Sequence, residues 1–243
     1  MASNKNFYDI PLLFERYSQI YQQYPEAAVG NELFYSLLPD VKDATVLDLG
    51  CGDGNFGRRL MSLGIALVEG YDLSHLMINR ARELANGDQR QVYQVEDIET
   101  MSLKKERYNL IHSLYAFHYV VDLDKFMKRM YDALVPNGVL MFQVEHPVRT
   151  SNPNEQDLVE VNGRKVFPLS NYMEEGERVT TWLGVPNVSK RHHLISSYVN
   201  SCIKNGLQIE VLNEWAPASP PELSVRPLSL MIKARKVVTN NNK

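Results

Sequence analysis

The stretch Val46-Leu47-Asp48-Leu49-Gly50-Cys51-Gly52-Asp53-Gly54 decides how the chain is read. The run Ala44 to Leu49 is short, apolar and bounded by Gly50, the pattern of a buried strand. It passes straight into three alternating glycines. Glycine serves where the backbone must turn tightly and let a ligand lie against it. Asn55 to Ser62 then reads as a helix whose first N–H groups open on that turn.

The same rhythm continues outward. Ala66 to Tyr71 is a second strand. Asp72-Leu73-Ser74 leads into a helix reaching about Leu84, with Ser74 as its N-cap. Gln91 to Val95 and Tyr108 to Leu114 are the third and fourth strands. Leu123 to Leu134 is a helix with apolar Phe126, Met127, Met130 and Ala133. After the turn Pro136-Asn137-Gly138, Val139 to Val144 is the fifth strand. Upstream, Asn31 to Leu38 has helical spacing. Strands alternating with helices predict an α/β fold, a mostly parallel sheet with helices on both faces. Right-handed crossovers place the strand C-termini along one edge, where ligands sit in open sheets.

Beyond Val144 the rhythm breaks. Glu145 to Lys190 holds Pro147, Pro153, Pro168 and Pro186 without a helical stripe. A stretch of this kind inside a compact domain is usually a lid or binding loop. A small hairpin is expected within Lys165 to Leu183. Helical spacing resumes near Arg191 and runs to Lys204. Gln208 to Leu212 and Leu228 to Ala234 complete a seven-stranded Rossmann-like sheet with an antiparallel edge, and the lid-like insertion follows the fifth strand.

At 243 residues the chain holds one or two domains by the usual ~150 residues each. The net charge of −3 gives no reason to expect a nucleic-acid or anionic-membrane surface. Cys51 and Cys202 are too few and too far apart for a disulfide framework or a zinc site. No run approaches the ~18 apolar residues of a membrane span, and the N-terminus lacks the apolar run of a secretory signal. A reducing, cytoplasmic setting is expected, with the protein a monomer or homodimer.

Three strand ends supply acids: Asp48, Asp72 and Asp97. Asp72 suits a ribose diol, since a carboxylate accepts from both hydroxyls. Asp97 suits the exocyclic amine of adenine. Gly52, Gly54 and Gly57 also satisfy G-x-G-x-x-G, the dinucleotide fingerprint, which keeps an NAD-type oxidoreductase as a rival. Asp53, inside the loop, would repel a pyrophosphate, and so much negative charge suits a ligand with an amine and a positive centre. A non-catalytic binding protein on the same fold is a further alternative.

Five blocks in order carry a resemblance: Val46 to Gly54; Glu69-Gly70-Tyr71-Asp72-Leu73-Ser74; Glu96-Asp97-Ile98; Tyr108 to Ser113; and Leu134 to Leu140. Together they resemble the class I S-adenosylmethionine-dependent methyltransferases. The resemblance implies S-adenosylmethionine as cofactor, S-adenosylhomocysteine as product, and no metal. It places Asp48, Gly50, Cys51 and Gly52 at the methionine end, Asp72 at the ribose and Asp97 at the adenine. Leu73 and Ile98 would flank the adenine, Leu114 would lie near the ligand, and Tyr17 would sit on an N-terminal helix covering it.

Glu145-His146-Pro147, Asn171 to Gly176, Thr181-Trp182-Leu183, His192-His193 and Arg226-Pro227 are similar to a subgroup of bacterial small-molecule methyltransferases. The implied layout is one domain, 1–243: a helical cap (1–40), the cofactor core (41–145), an acceptor-site insertion (146–190) and a C-terminal helix with strands (191–243). The acceptor is expected to be a small molecule methylated on O, N or C, with no nucleic acid and no membrane involved. No N/D-P-P-Y/F motif follows the fourth strand, which argues against DNA or glutamine-amide methylation.

An acceptor of high pKa needs a base. The candidates are His118, Glu145, His146, His192 and His193, with His118 and His146 foremost because they follow the fourth and fifth strands. Tyr17, Tyr21 and Tyr119 would line the entrance, although the i, i+4 spacing of Tyr17 and Tyr21 also fits plain packing. His192 and His193, read as neighbours on a helix, cannot both face inward. Cys51 reads as a small packing residue.

Overall fold

The computed structural model describes residues 6–20, 25–152, 158–218 and 225–237. Seven strands form one sheet: β1 (Thr45–Leu49), β2 (Leu67–Asp72), β3 (Gln91–Val95), β4 (Tyr108–Leu114), β5 (Leu134–Glu145), β10 (Leu207–Trp215) and β11 (Ser229–Lys236). Their order is β10-β11-β5-β4-β1-β2-β3. β1 to β5 are parallel, whereas β11 runs antiparallel between β5 and β10. The order reverses at β1, so the first strand lies at the switch point where an open sheet offers a crevice.

Side-chain parity sorts the core into two layers. Leu47, Leu49, Ile111, Leu140 and Phe142 pack on one face with α5 (Leu123–Ala133) and α7 (Ile195–Lys204). Val46, Leu110, Val139 and Met141 pack on the other with α2 (Pro25–Tyr35) and α3 (Asn55–Met61). Two helix starts follow the expected chemistry. Ser74 Oγ accepts from the Met77 N–H at the head of α4 (His75–Ala85), and Asp122 accepts from Lys125 N–H at the head of α5. Asp9 adds a second cap to α4, accepting from Ser74 Oγ at 2.7 Å and Leu76 N–H at 3.1 Å.

The fifth strand begins earlier than its apolar run, at Leu134. The Pro136-Asn137-Gly138 turn is absorbed as a register shift between Tyr108 and Leu110 of β4. After β5 come a short helix α6 (Pro147–Ser151) and two hairpins, β6 (Val159–Val161) with β7 (Arg164–Val166), and β8 (Gly176–Trp182) with β9 (Val185–His192).

α1 (Pro11–Ser18) and the 3-10 turn Phe7–Asp9 cross toward the β8–β9 hairpin. Leu13, Val185 and Val188 form a small separate core there, with Phe7, Tyr8, Trp182 and Leu183 against it. Arg16 donates to the Leu183 carbonyl. Among the described residues no helix is long and apolar enough to cross a membrane.

Candidate active site

A cleft of about 800 Å³, counted out to its open mouth, lies at the C-terminal ends of β1, β2, β3 and β4. Gly50, Gly52, Asp72, Leu73, Asp97, Ile98 and Leu114 line it, and Tyr17 comes from α1. These expected residues are therefore brought together.

The glycines divide their work. At Gly52 a Cβ would meet nothing within 4 Å, and φ is +53°. At Gly50, with φ +73°, a Cβ would stand 2.3 Å from the Ala116 Cβ. Gly57, the third glycine of the dinucleotide pattern, has another function: its Cβ would strike the Tyr93 hydroxyl at 2.4 Å. It lets α3 close on the sheet over Tyr93.

Asp72 is half-buried and held by two backbone donors. Its oxygens accept from Gly52 N–H at 3.0 Å and Ser74 N–H at 2.9 Å. Burial pushes its carboxyl up to about 6; those two N–H groups oppose the rise, while the nearby Asp48 and Asp9 add to it. Asp97 accepts from Glu99 N–H at 2.8 Å, which fixes its turn after β3.

Several expected residues lie elsewhere. Asp48 shares a sheet face with Val46 and turns toward α3, away from the cleft lining. Its Oδ1 meets His112 Nδ1 at 2.8 Å, the two residues facing each other across β1 and β4 and both 1% exposed. The His112 ring stacks on Phe56 with centroids 3.4 Å apart. Cys51 packs with Ile78, Ala81 and Tyr93, and burial pushes its thiol well up, so it acts as a small core residue. Asp53 turns outward, accepting from Asn55 N–H and pairing with Arg58 at 3.5 Å. The cleft's acidity comes instead from Asp72, Glu96, Asp97 and Glu99.

His118 stands behind the cleft wall. It is 2% exposed, its ring centroid is 4.4 Å from that of Tyr119, and its Nδ1 has no partner among the described residues. Burial lowers its pKa to about 4; Glu145 resists this, while Lys190 and Arg149 reinforce it. It is a neutral acceptor at pH 7.

His146 departs from the expected role of base. Its Nδ1 accepts from Val148 N–H at 3.1 Å, capping α6, and its Nε2 meets Glu214 at 2.7 Å. Both nitrogens are committed to fixing the chain as it leaves β5.

His192 and His193 are both buried, against the expectation that one faces solvent. The reason is a boundary: His192 ends β9 and α7 starts only at Ile195. His192 binds Thr150 and the Tyr172 carbonyl, and His193 donates to the Val120 carbonyl. Tyr21 lies outside the described residues.

Tyr8, Met77, Glu99 and Tyr115 also line the cleft, and no local motif marks them. Tyr8 and Tyr119 share a hydrogen bond, and burial pushes both hydroxyls up. Tyr115 takes a left-handed φ of 57° and accepts from Gln143 Nε2 at 2.6 Å. That conformation, unusual for a bulky residue, follows from its place at the abrupt end of β4.

Comparison with known proteins agrees with this geometry. Residues 47–142 match a family model described as a methyltransferase domain. A solved S-adenosylmethionine-dependent methyltransferase from Mesorhizobium loti is 32% identical with a TM-score of 0.78, covering 84% of this chain and 96% of that one. An uncharacterized Haemophilus influenzae protein is 31% identical over 98% of this chain and 99% of its own. A ubiquinone biosynthesis O-methyltransferase from Coxiella burnetii is 32% identical over 103 residues, 42% of this chain and 44% of that protein.

Proposed function

Because the chain belongs to the S-adenosylmethionine-dependent methyltransferases, we propose that it methylates a small molecule held beneath the N-terminal arm and the β8–β9 hairpin. The observation that carries this reading is the roof. Phe7, Tyr8 and Leu13 meet Trp182, Leu183, Val185 and Val188 in one apolar contact, which encloses a small acceptor more readily than a polymer. The similarity to a ubiquinone biosynthesis O-methyltransferase supports the same class.

The cleft's donor set fits the cofactor. Asp72 offers a half-buried carboxylate for the ribose diol, Asp97 an acceptor for the adenine amine, and the open face of Gly52 room for the methionine end. Leu73 and Ile98 provide apolar surface beside the adenine. Bound there, S-adenosylmethionine would supply an electrophilic methyl group to an acceptor's lone pair, with S-adenosylhomocysteine as the leaving group.

Charge is dispersed during such a displacement, so the protein's work is alignment and exclusion of water. The tyrosine wall of Tyr8, Tyr115 and Tyr119 serves both ends. Where the acceptor must lose a proton, the group assigned to take it is neutral His118, reached when the Tyr119 wall moves aside, and the Glu145 charge would stabilise the resulting imidazolium.

The test is release of S-adenosylhomocysteine from S-adenosylmethionine in the presence of small-molecule, RNA and protein acceptors. Methylation confined to RNA or protein would overturn the small-molecule reading. His118→Ala should lower turnover while leaving S-adenosylhomocysteine affinity unchanged; full activity in that variant dismisses His118 as the base.

A further inference from the structure

A second polar cluster lies beyond the tyrosines that wall the cleft. Glu145, at the end of β5, and Lys190, on β9, pair at 2.7 Å with exposures of only 8% and 4%. Burial alone would raise the Glu145 carboxyl. The charges of Lys190 and Arg149 outweigh it and hold the group well below the usual carboxylate range. Both cations also face the Trp182 ring, Arg149 at 5.7 Å and Lys190 at 6.0 Å from its centroid. His118 is buried within reach of the same charges, with Nδ1 lacking a partner among the described residues. The Glu145 charge is felt in turn at the hydroxyls of Tyr8 and Tyr119, which line the cleft. The cluster thus lies within electrostatic reach of two tyrosines that line the cleft.

Packing does not require this arrangement. A buried ion pair is often no more stabilising than apolar residues of the same volume, so its presence calls for another reason. Two cations, an aromatic face and a buried unpartnered imidazole converge on one carboxylate. The resident carboxylate shows which group the two cations accommodate.

We propose that Lys190 and Arg149 recognise a carboxylate on the methyl acceptor, so that the substrate is an organic acid whose acid group seats beside Glu145 while another of its atoms faces the sulfonium. This rests on the methyltransferase reading above and adds the substrate class. Glu145 is then a positioning residue. It holds the two cations together and competes mildly with the incoming acid.

The experiment uses a Trp215→Phe background, which leaves Trp182 as the reporting indole in a chain with two tryptophans. The protein, saturated with S-adenosylhomocysteine, is titrated with benzoate, 4-hydroxybenzoate and succinate, each against its amide, and with phenyl phosphate. Trp182 fluorescence is followed. The expected result is a saturable response in which a carboxylate binds at least tenfold more tightly than its amide. Arg149→Gln weakens that binding about tenfold, and Glu145→Gln tightens it.

Lys190→Met alone leaves a buried carboxylate unpaired and can fail to fold. The double variant Lys190→Met with Glu145→Gln removes the pair as a unit, and in it the carboxylate preference disappears. Equal binding of acids and amides, no saturable binding of any acid, or affinities unchanged in Arg149→Gln and the double variant would each overturn the proposal. So would a tighter site for phenyl phosphate. Calorimetry with S-adenosylhomocysteine separates the two levels. Absence of binding to the unmodified protein defeats the methyltransferase reading, whereas normal binding without acid preference defeats only this one.

Discussion

The two halves of the site are built in different ways. On the proposed cofactor side, Gly52, Asp72, Leu73, Asp97 and Ile98 each lie at or within a few residues of a strand C-terminus, and the sheet places them. On the proposed acceptor side, Tyr8, His118, Glu145, Arg149, Trp182 and Lys190 come from segments spread between residues 8 and 190. They are gathered by tertiary closure around the Glu145–Lys190 pair and the Leu13–Val185–Val188 core. A half fixed by backbone tolerates change around it. A half fixed by side chains is only as firm as its contacts.

The largest effect should come from breaking the second half at its centre. Lys190→Met is expected to cost about 3–5 kcal/mol in chemical denaturation, because Glu145 is left charged and buried. The double variant Lys190→Met with Glu145→Gln should recover most of that loss. If the single variant denatures like the unmodified protein, Glu145 reaches water and the contrast between the halves fails.

Gly50→Ala tests the first half at its turn. The left-handed φ costs a side chain roughly 1–2 kcal/mol, and the new Cβ meets Ala116 besides. A loss of about 2 kcal/mol or more is expected, with cofactor binding abolished in calorimetry. Retention of both would mean that the turn relaxes freely.

Asp72→Asn should weaken S-adenosylhomocysteine binding by about 1–3 kcal/mol without unfolding the protein. A pH series sharpens the point. The Asp72 carboxyl is raised to about 6 in the free protein, chiefly by burial. Ribose hydroxyls donate to its ionised form, so binding there favours loss of the proton. Affinity should therefore be level above that value and fall as the pH drops below it. Asp72→Asn should flatten this dependence; an unchanged profile would assign it to another group.

Asp9→Ala is the mildest change. Losing one of two caps at the head of α4 is expected to cost about 1 kcal/mol in thermal or chemical denaturation. S-adenosylhomocysteine should also dissociate faster in stopped-flow, since the arm loses its hold.

What was legible in the sequence follows the same division. Strand, glycine turn and acid recur within one stretch, so the placement of Asp72, Asp97 and the cleft glycines needs only local pattern and the sheet edge. Asp48 shows the limit. It belongs to the same motif, yet strand parity turns it with Val46 toward α3, where His112 meets it. That parity was present in the apolar pattern, but the motif outweighed it. His192 and His193 differ from expectation because the helical spacing reads from Arg191, four residues ahead of the true start of α7. Tyr8 had no local signal at all. Its role depends on an arm folding across the sheet edge, and nothing within a few residues of it encodes that path.

The N-terminal arm is fastened to α4 through Asp9, to the Leu183 carbonyl through Arg16, and to the β8–β9 hairpin through the Leu13 core. An opening of the arm for cofactor exchange would therefore also uncover the proposed acceptor chamber. Spent cofactor and methylated product should share one exit event, whose rate sets the pace of turnover under saturating conditions. Solvent viscosity would slow that step and leave a single chemical turnover untouched.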